Sequence, residues 1–356
     1  MRLMIFATLL IAGLAAGFGY YDGMGRGTLT EGYTPIGAAT GGVVTLGYEP
    51  AMGAVTNPAA LTLSEGSRLE AGLSPGSWET WHIYPFPMRD RKRTGMYLGG
   101  LSAGFAMPLD VGWYVGASAA KVSDYAMSAD IVEYEDDQWN TTAVKMMESD
   151  GSLYEVSTAA GFQASRWLSL GFSGGVRLGS GSWEEVAEYY VRDTTEVHGE
   201  NWTAAEPCLR VGALVSSGRL TGGAVFSTGS KRMPGTLALG TRFSFHVLAD
   251  GEMGLEYQMQ PALTDSLVNL RAFIAVEGIY PGVRSFYSIT SRQESGQHSS
   301  TLGGSLGLDI PVGGADLIAS VGWNGSDRRN NLFGDYYLSR IESSKTEVSL
   351  GTVIEL

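Results

Sequence analysis

After Gly17 the chain holds no stretch of eighteen apolar residues, so no helix in it can cross a bilayer. From about Ser67 onward it instead alternates apolar with small or polar residues, in segments separated by turn residues. Leu168, Leu170, Phe172, Val176 and Leu178 alternate with Ser169, Gly171, Ser173 and Arg177. Leu237, Leu239, Phe243 and Phe245 alternate with Ala238, Gly240, Arg242 and Ser244, and Leu270, Ala272, Ile274 and Val276 with Arg271 and Glu277. Successive side chains of a strand point to opposite faces, so each segment has one apolar face and one small or polar face. A soluble sandwich alternates too. Segments of about ten residues arranged as regular hairpins are what a tilted strand crossing a bilayer requires.

Tight turns alternate with long polar stretches. Short connections fall at Pro108–Val111, Ala164–Arg166, Ser216–Gly218, Ala249–Gly251, Pro281–Gly282 and Pro311–Gly314, and long loops near 122–152, 179–205, 228–235, 292–299 and 325–344. The strands between them are expected near 67–84, 94–107, 112–121, 153–164, 167–178, 206–216, 219–227, 236–246, 251–261, 268–279, 283–292, 300–310, 314–324 and 345–356. That even number puts both ends of the series on the short-turn side. The extended segments 183–192 and 332–341 are expected as hairpins within the long loops. In the last strand Val348, Leu350, Thr352, Ile354 and Leu356 share a face, and pairing it with the first strand would remove every exposed edge. The fold class that follows is all-β, a transmembrane antiparallel barrel of about fourteen strands.

The N-terminal residues give the barrel its compartment and its contents. Met1-Arg2, the apolar run Leu3–Leu14 and the small residues Ala15-Ala16-Gly17 read as a signal peptide, residues 1–17. Residues 18–65 then include a stretch almost free of charge, from Tyr33 to Leu61, rich in Gly and Ala and ending Asn57-Pro58-Ala59-Ala60-Leu61. Small residues permit close backbone packing, and Pro58 restricts Asn57 to extended geometry. The segment is expected to fold as a hatch inside the lumen of the barrel formed by 66–356, with Gly41, Gly42, Asn57, Pro58, Ala59 and Leu61 nearest any ligand.

Composition excludes other classes. A net charge of -13 argues against a nucleic-acid partner. One cysteine, Cys208, allows no internal disulfide and no cysteine-based metal site. The four histidines are far apart and lack metal-ligand spacing, so neither metal nor cofactor is expected. Gly-x-Ser-x-Gly occurs at Ser74, Ser102, Ser173 and Ser305. A nucleophile elbow needs a strand–turn–helix setting and a histidine partner, whereas these serines lie within alternating strands, so no enzyme is expected.

Arg177, Arg210, Arg242, Arg271 and Arg284 fall on the polar face of their strands, with Glu256 and Glu277. Two accounts remain open for them. They fill the lumen as a salt-bridge network, or one or two hold a ligand carboxylate. The basic turn Arg89–Arg93 could meet lipopolysaccharide phosphates and the acidic stretch Glu133–Asp137 divalent cations, with solvated loops the simpler reading of both. Trp113, Trp167 and Trp323 lie near strand ends, where an aromatic girdle belongs.

In order, Gly37-Ala38-Ala39-Thr40-Gly41-Gly42, Glu49-Pro50-Ala51 and Asn57-Pro58-Ala59-Ala60-Leu61 resemble the hatch of the FadL-type long-chain fatty-acid transporters and the related PorV-like barrels. Trp167–Gly171, Met233–Gly240 and Pro281–Arg284 extend the resemblance along the mature chain. It implies a monomeric barrel in the bacterial outer membrane, inserted by the barrel-assembly machinery and surrounded by lipid and lipopolysaccharide. Such a barrel passes fatty acids or other hydrophobic small molecules by passive, hatch-gated diffusion, with lateral release through the wall. The alternatives are a PorV-like barrel serving secretion or surface attachment, and a structural or general-diffusion porin.

Overall fold

The computed structural model describes residues 28–29, 32–83, 91–125, 127–135, 141–190, 193–246, 250–260, 267–277, 283–294, 299–330 and 339–356. The expected signal segment 1–17, the side chains of the basic turn 89–93 and those of the acidic stretch 133–137 lie outside the described residues.

The strands are β1 (Thr28–Leu29), β2 (Arg68–Ile83), β3 (Arg91–Pro108), β4 (Trp113–Asp124), β5 (Met127–Glu135), β6 (Thr141–Ser165), β7 (Leu168–Tyr189) and β8 (Thr194–Ser217). There follow β9 (Leu220–Ser227), β10 (Thr236–His246), β11 (Asp250–Gln260), β12 (Leu267–Glu277), β13 (Arg284–Glu294), β14 (Ser299–Val312), β15 (Ala315–Asn330) and β16 (Ser339–Glu355). All but β1 and β5 form a closed antiparallel ring of fourteen. It shuts where β16 pairs with β2, from Arg340↔Ile83 to Glu355↔Arg68.

The two faces of the wall follow the alternation. Leu170, Phe172, Leu209, Val211 and Leu350 point outward and are exposed, while Ser169, Ser173, Arg177 and Arg210 on the same strands are buried in the lumen. The outward apolar residues of one strand, such as Leu168 to Leu178, span roughly 25 Å once the tilt of barrel strands is allowed for, which matches a bilayer core. Trp113 stacks on Phe162 with ring centroids 4.8 Å apart at the short-turn end, and Trp167 occupies a turn at the same end.

The strand positions agree with the expected ones at the membrane and depart from them beyond it. The stretches 141–152, 179–189 and 194–205 are not loops: β6, β7 and β8 run on as one ladder, with Gly181 opposite both Gly151 and Trp202. Trp183–Tyr189 is thus the upper part of β7 rather than a separate hairpin. Above the bilayer water wets both faces of a strand, so no apolar alternation marks it, although its backbone groups still pair.

Residues 32–64 lie inside the ring and are almost wholly buried. The wall meets them with glycine. A Cβ on Gly171 would overlap the backbone of Pro58 and Ala59, and a Cβ on Gly212 the side chain of Asn57. On Gly223 or Gly240 it would overlap Thr45, and on Gly307 Ala39. Register concentrates these positions, since Gly161, Gly171 and Gly212 face one another across β6, β7 and β8, as do Gly223 and Gly240 across β9 and β10.

Candidate functional site

The hatch is organised by caps and turns. Its α-helix among the described residues, α1 (Pro35–Ala39), starts with proline at its first position, where the missing N–H is no loss. It ends in a Schellman motif, with Gly42 N–H donating to Gly37 O at 2.7 Å and Gly41 N–H to Ala38 O at 3.1 Å. Gly41 and Gly42 take φ of 73° and 81°, which explains a Gly-Gly pair here. Glu49, fully enclosed, accepts from the N–H groups of Thr34 and Gly37 at 2.9 and 3.1 Å and from the Thr34 hydroxyl. Burial pushes its carboxyl up to about 8 against the pull of these donors. Asn57 caps the 3₁₀ turn Pro58–Leu63 by accepting from Ala59 N–H at 3.1 Å, while its amide donates to Thr45 O at 2.7 Å and to Ala213 O of the wall at 3.4 Å. Pro58, Ala59 and Leu61 are buried against β6, β7 and β8.

The wall holds the hatch by side chains that reach its backbone. Glu256 accepts from Val44 N–H at 2.9 Å, Thr45 N–H at 2.8 Å and the Thr45 hydroxyl at 2.7 Å. Ser118 donates to Ala51 O at 3.0 Å, Arg210 to Ala54 O at 2.8 Å and Ser305 to Ala39 O at 2.7 Å, and Ser102 donates to Tyr33 O. Two of the four Gly-x-Ser-x-Gly serines are therefore hatch anchors, and Ser74 bonds Ser349 across the closing pair. The glycines flanking them, Gly72, Gly104, Gly171 and Gly307, are those that meet the hatch. The motif is the small lumenal face of a strand. The described histidine side chains, His198 and His246, are exposed on the outer surface and near a short turn.

The five arginines do not converge. They divide among three carboxylates. Arg177 and Arg210 share Glu155, at 3.1 and 2.7 Å. Arg271 pairs with Glu256 at 2.8 Å. Arg242 and Arg284 approach Glu252 at 3.6 and 3.5 Å, near the short-turn end, where Tyr48 of the hatch also donates to it at 2.8 Å. Arg210 and Arg271 alone of the five line the cavity above the hatch, together with Tyr33, Val44, Val55, Val122 and Met233.

The wall has one weak place in this region. β3 pairs with β4 only from Ser102↔Ala120 down to Pro108↔Tyr114, although β3 continues upward to Arg91 against β2. Above Ala120 the inward–outward alternation of β4 stops, and Lys121, Val122, Ser123 and Asp124 are all buried. A register shift against β6 marks the same point, as a bulge does when it bends a strand. Two devices fill the gap that β3 leaves. β1 pairs with the freed edge, Thr28↔Asp124 and Leu29↔Ser123. Lys121 Nζ donates to Leu98 O of β3 at 2.7 Å and pairs with Asp124 at 2.5 Å. Sequence reasoning missed this lysine. The signal was there, as a charge placed where the alternation of a small-residue strand fails.

Above the cavity the β9–β10 loop folds inward. Arg232 and Met233 are buried, Tyr125 donates to Arg232 O at 2.9 Å, and the Arg232 guanidinium lies 4.8 Å from the Trp202 ring and 2.6 Å from Glu200. The loop is a lid latched to the upper part of β8. Arg232→Ala should release it and speed entry of a cavity-directed probe by about fivefold, the effect of losing roughly 1 kcal/mol of closure. Stopped-flow quenching of a probe by an added nitroxide would read it, and an unchanged rate would show that the lid does not limit entry.

An even-numbered closed barrel with an outward apolar belt and an enclosed hatch is a membrane-spanning β-barrel. Its fold is that of the toluene transporter TodX of P. putida, at 13% identity over 92% of this chain and 99% of that one, with a TM-score of 0.57. A TodX variant described as a monoaromatic hydrocarbon channel superposes with a TM-score of 0.65 at 12% identity over 92% and 99% of the two chains. The Ralstonia pickettii toluene transporter TbuX gives 0.57 at 13% identity over the same shares. No protein-family model and no curated protein sequence matches the chain. The fold implied by the FadL-type resemblance is the fold found.

Proposed function

We propose that this protein is a bacterial outer-membrane channel that passes hydrophobic small molecules by passive diffusion, releasing them sideways through the wall between β3 and β4. The observation that carries this reading is the broken β3–β4 ladder, bridged by Lys121 and the two-residue β1 beside a cavity lined by Val122 and Tyr33. A hydrophobic molecule gains nothing by passing down into water, whereas a break beside the outward apolar residues Leu98 and Leu101 offers it lipid directly. The hatch serves as a floor. Its many hydrogen bonds to the wall, each worth about 1 kcal/mol net and more where a donor would be left buried, favour local adjustment over departure of the whole element.

Proteoliposomes loaded with an acceptor and offered labelled fatty acid or toluene test the reading. Saturable uptake above that of empty liposomes supports it. Lys121→Met combined with Asp124→Asn, which removes the bridge without stranding a carboxylate, should raise that uptake about fivefold. Absence of uptake would overturn the reading. Co-purification of a secreted protein, or conduction of large polar solutes, would then favour a secretion-associated barrel or a general porin.

A further inference from the structure

Resting on that channel reading, we infer that the cavity above the hatch selects neutral hydrophobic molecules carrying one hydrogen-bonding group, such as phenols and alcohols, in preference to carboxylates and to plain hydrocarbons. Charge weighs against an acidic ligand. Of the cavity's guanidinium groups, Arg271 has Glu256 as its own counter-ion, and Arg210 is held by Glu155, which it shares with Arg177. Arg292, also on the lining, is engaged in an interaction of its own. A ligand carboxylate would have to compete with carboxylates that are built in, hydrogen-bonded and shielded from water.

Uncharged hydrogen-bonding capacity remains open. Gln260 is 2% exposed, lines the cavity, and its side-chain amide makes no hydrogen bond to any described residue. Thr236 and Ser227, buried on the neighbouring strands β10 and β9, are in the same position. By contrast the Gln258 carbonyl is taken up by Asn269 and Arg271, at 3.1 and 2.6 Å. A buried amide that faces a cavity without a partner is satisfied by water or by a ligand's hydroxyl or carbonyl.

Ring position gives the site a direction. Passing from β4 through β6, β7, β8, β9, β10 and β11, β12 is the seventh strand on in a ring of fourteen, so β11 and β12 lie across the lumen from the β3–β4 opening. Gln260 is thus on the far wall, with Thr236 and Ser227 on the strands beside it, whereas Val122 of β4 and Val55 of the hatch present apolar surface on the near side, and Val225 and Met233 add apolar surface at β9 and the loop after it. A one-headed molecule bound by its head at Gln260 points its apolar body at the gap and leaves body first.

Three probes with one skeleton test the inference: toluene, p-cresol and 4-methylbenzoate, in proteoliposomes containing the full chain, with competition against a fluorescent hydrophobe as a second readout. The expected order has p-cresol fastest, with 4-methylbenzoate slower by about tenfold. Gln260→Leu should reduce the p-cresol to toluene ratio by about fivefold, one hydrogen bond's worth, without slowing toluene. Thr236→Val, a closer match in shape, should move the ratio in the same direction. Fastest passage of 4-methylbenzoate, or a ratio unchanged in both variants, would overturn the selectivity while leaving the channel intact. Failure of all three probes to pass would overturn the channel reading and this inference with it.

Discussion

Replacing Glu256 by Ala is expected to loosen the hatch inside an intact barrel. One carboxylate receives two backbone N–H groups and a hydroxyl from the Val44–Thr45 loop, and it neutralises Arg271. Its removal strands those donors and a buried guanidinium together, a loss of about 3–5 kcal/mol. The ring of strands is untouched, so the variant should still migrate as a folded, heat-modifiable barrel. Proteolysis near residues 44–45 and ion conductance across planar bilayers should both rise. Glu256→Gln keeps a carbonyl oxygen for the loop and should show much less of either. Conductance equal to wild type in the Ala variant would mean that this anchor does not hold the hatch down.

A second route to the same displacement is steric. Gly171 and Gly174 lie on the same strand and face opposite ways. A Cβ at 171 would collide with the backbone of Pro58 and Ala59, whereas one at 174 meets nothing nearer than a Leu209 methyl at 3.5 Å. Gly171→Val should therefore force the 3₁₀ turn off the wall, at a cost of about 3 kcal/mol or more, while Gly174→Val leaves the protein as it was. The pair controls for strand propensity and for helix–strand preference alike. The readouts are the same protease cleavage and conductance. Equal behaviour of the two variants would count against close hatch–wall contact at Asn57-Pro58-Ala59.

Most of the fold could be read from the sequence because a bilayer imposes a simple rule on each strand. One face must be apolar for about ten residues, and Leu168–Leu178 or Val348–Leu356 display that openly. Where the rule lapses, the sequence loses its signal. The upper halves of β7 and β8 were expected as loops because Thr194–Asn201 is exposed on both faces and Trp183–Tyr189, largely half-buried with Ala187 buried, shows no apolar alternation. The site was legible in part. The alternation put the five arginines on the lumenal face, yet it could not pair them, because Glu155, Glu256 and Glu252 come from strands whose register only the folded wall fixes. The lid was visible only as the loop 228–235. The break beside β4 was written at Lys121-Val122-Ser123-Asp124, where neighbouring residues all turn inward. Reading that from sequence requires knowing that β3 has already parted from them.

The joint between β2 and β16 has a consequence for how such a wall comes together. Every other neighbouring pair in the ring joins strands close in sequence, so a hairpin or a short excursion brings them into register. β2 and β16 are nearly the whole chain apart. Toward the short-turn end of the joint Gly72 lies opposite Gly351, so neither strand offers the other a side chain there. What fills the space is Pro35 of α1, which touches both glycines. The hatch thus lines the single joint that chain connectivity does not template, and a chain lacking residues 32–64 would leave both glycines facing empty space.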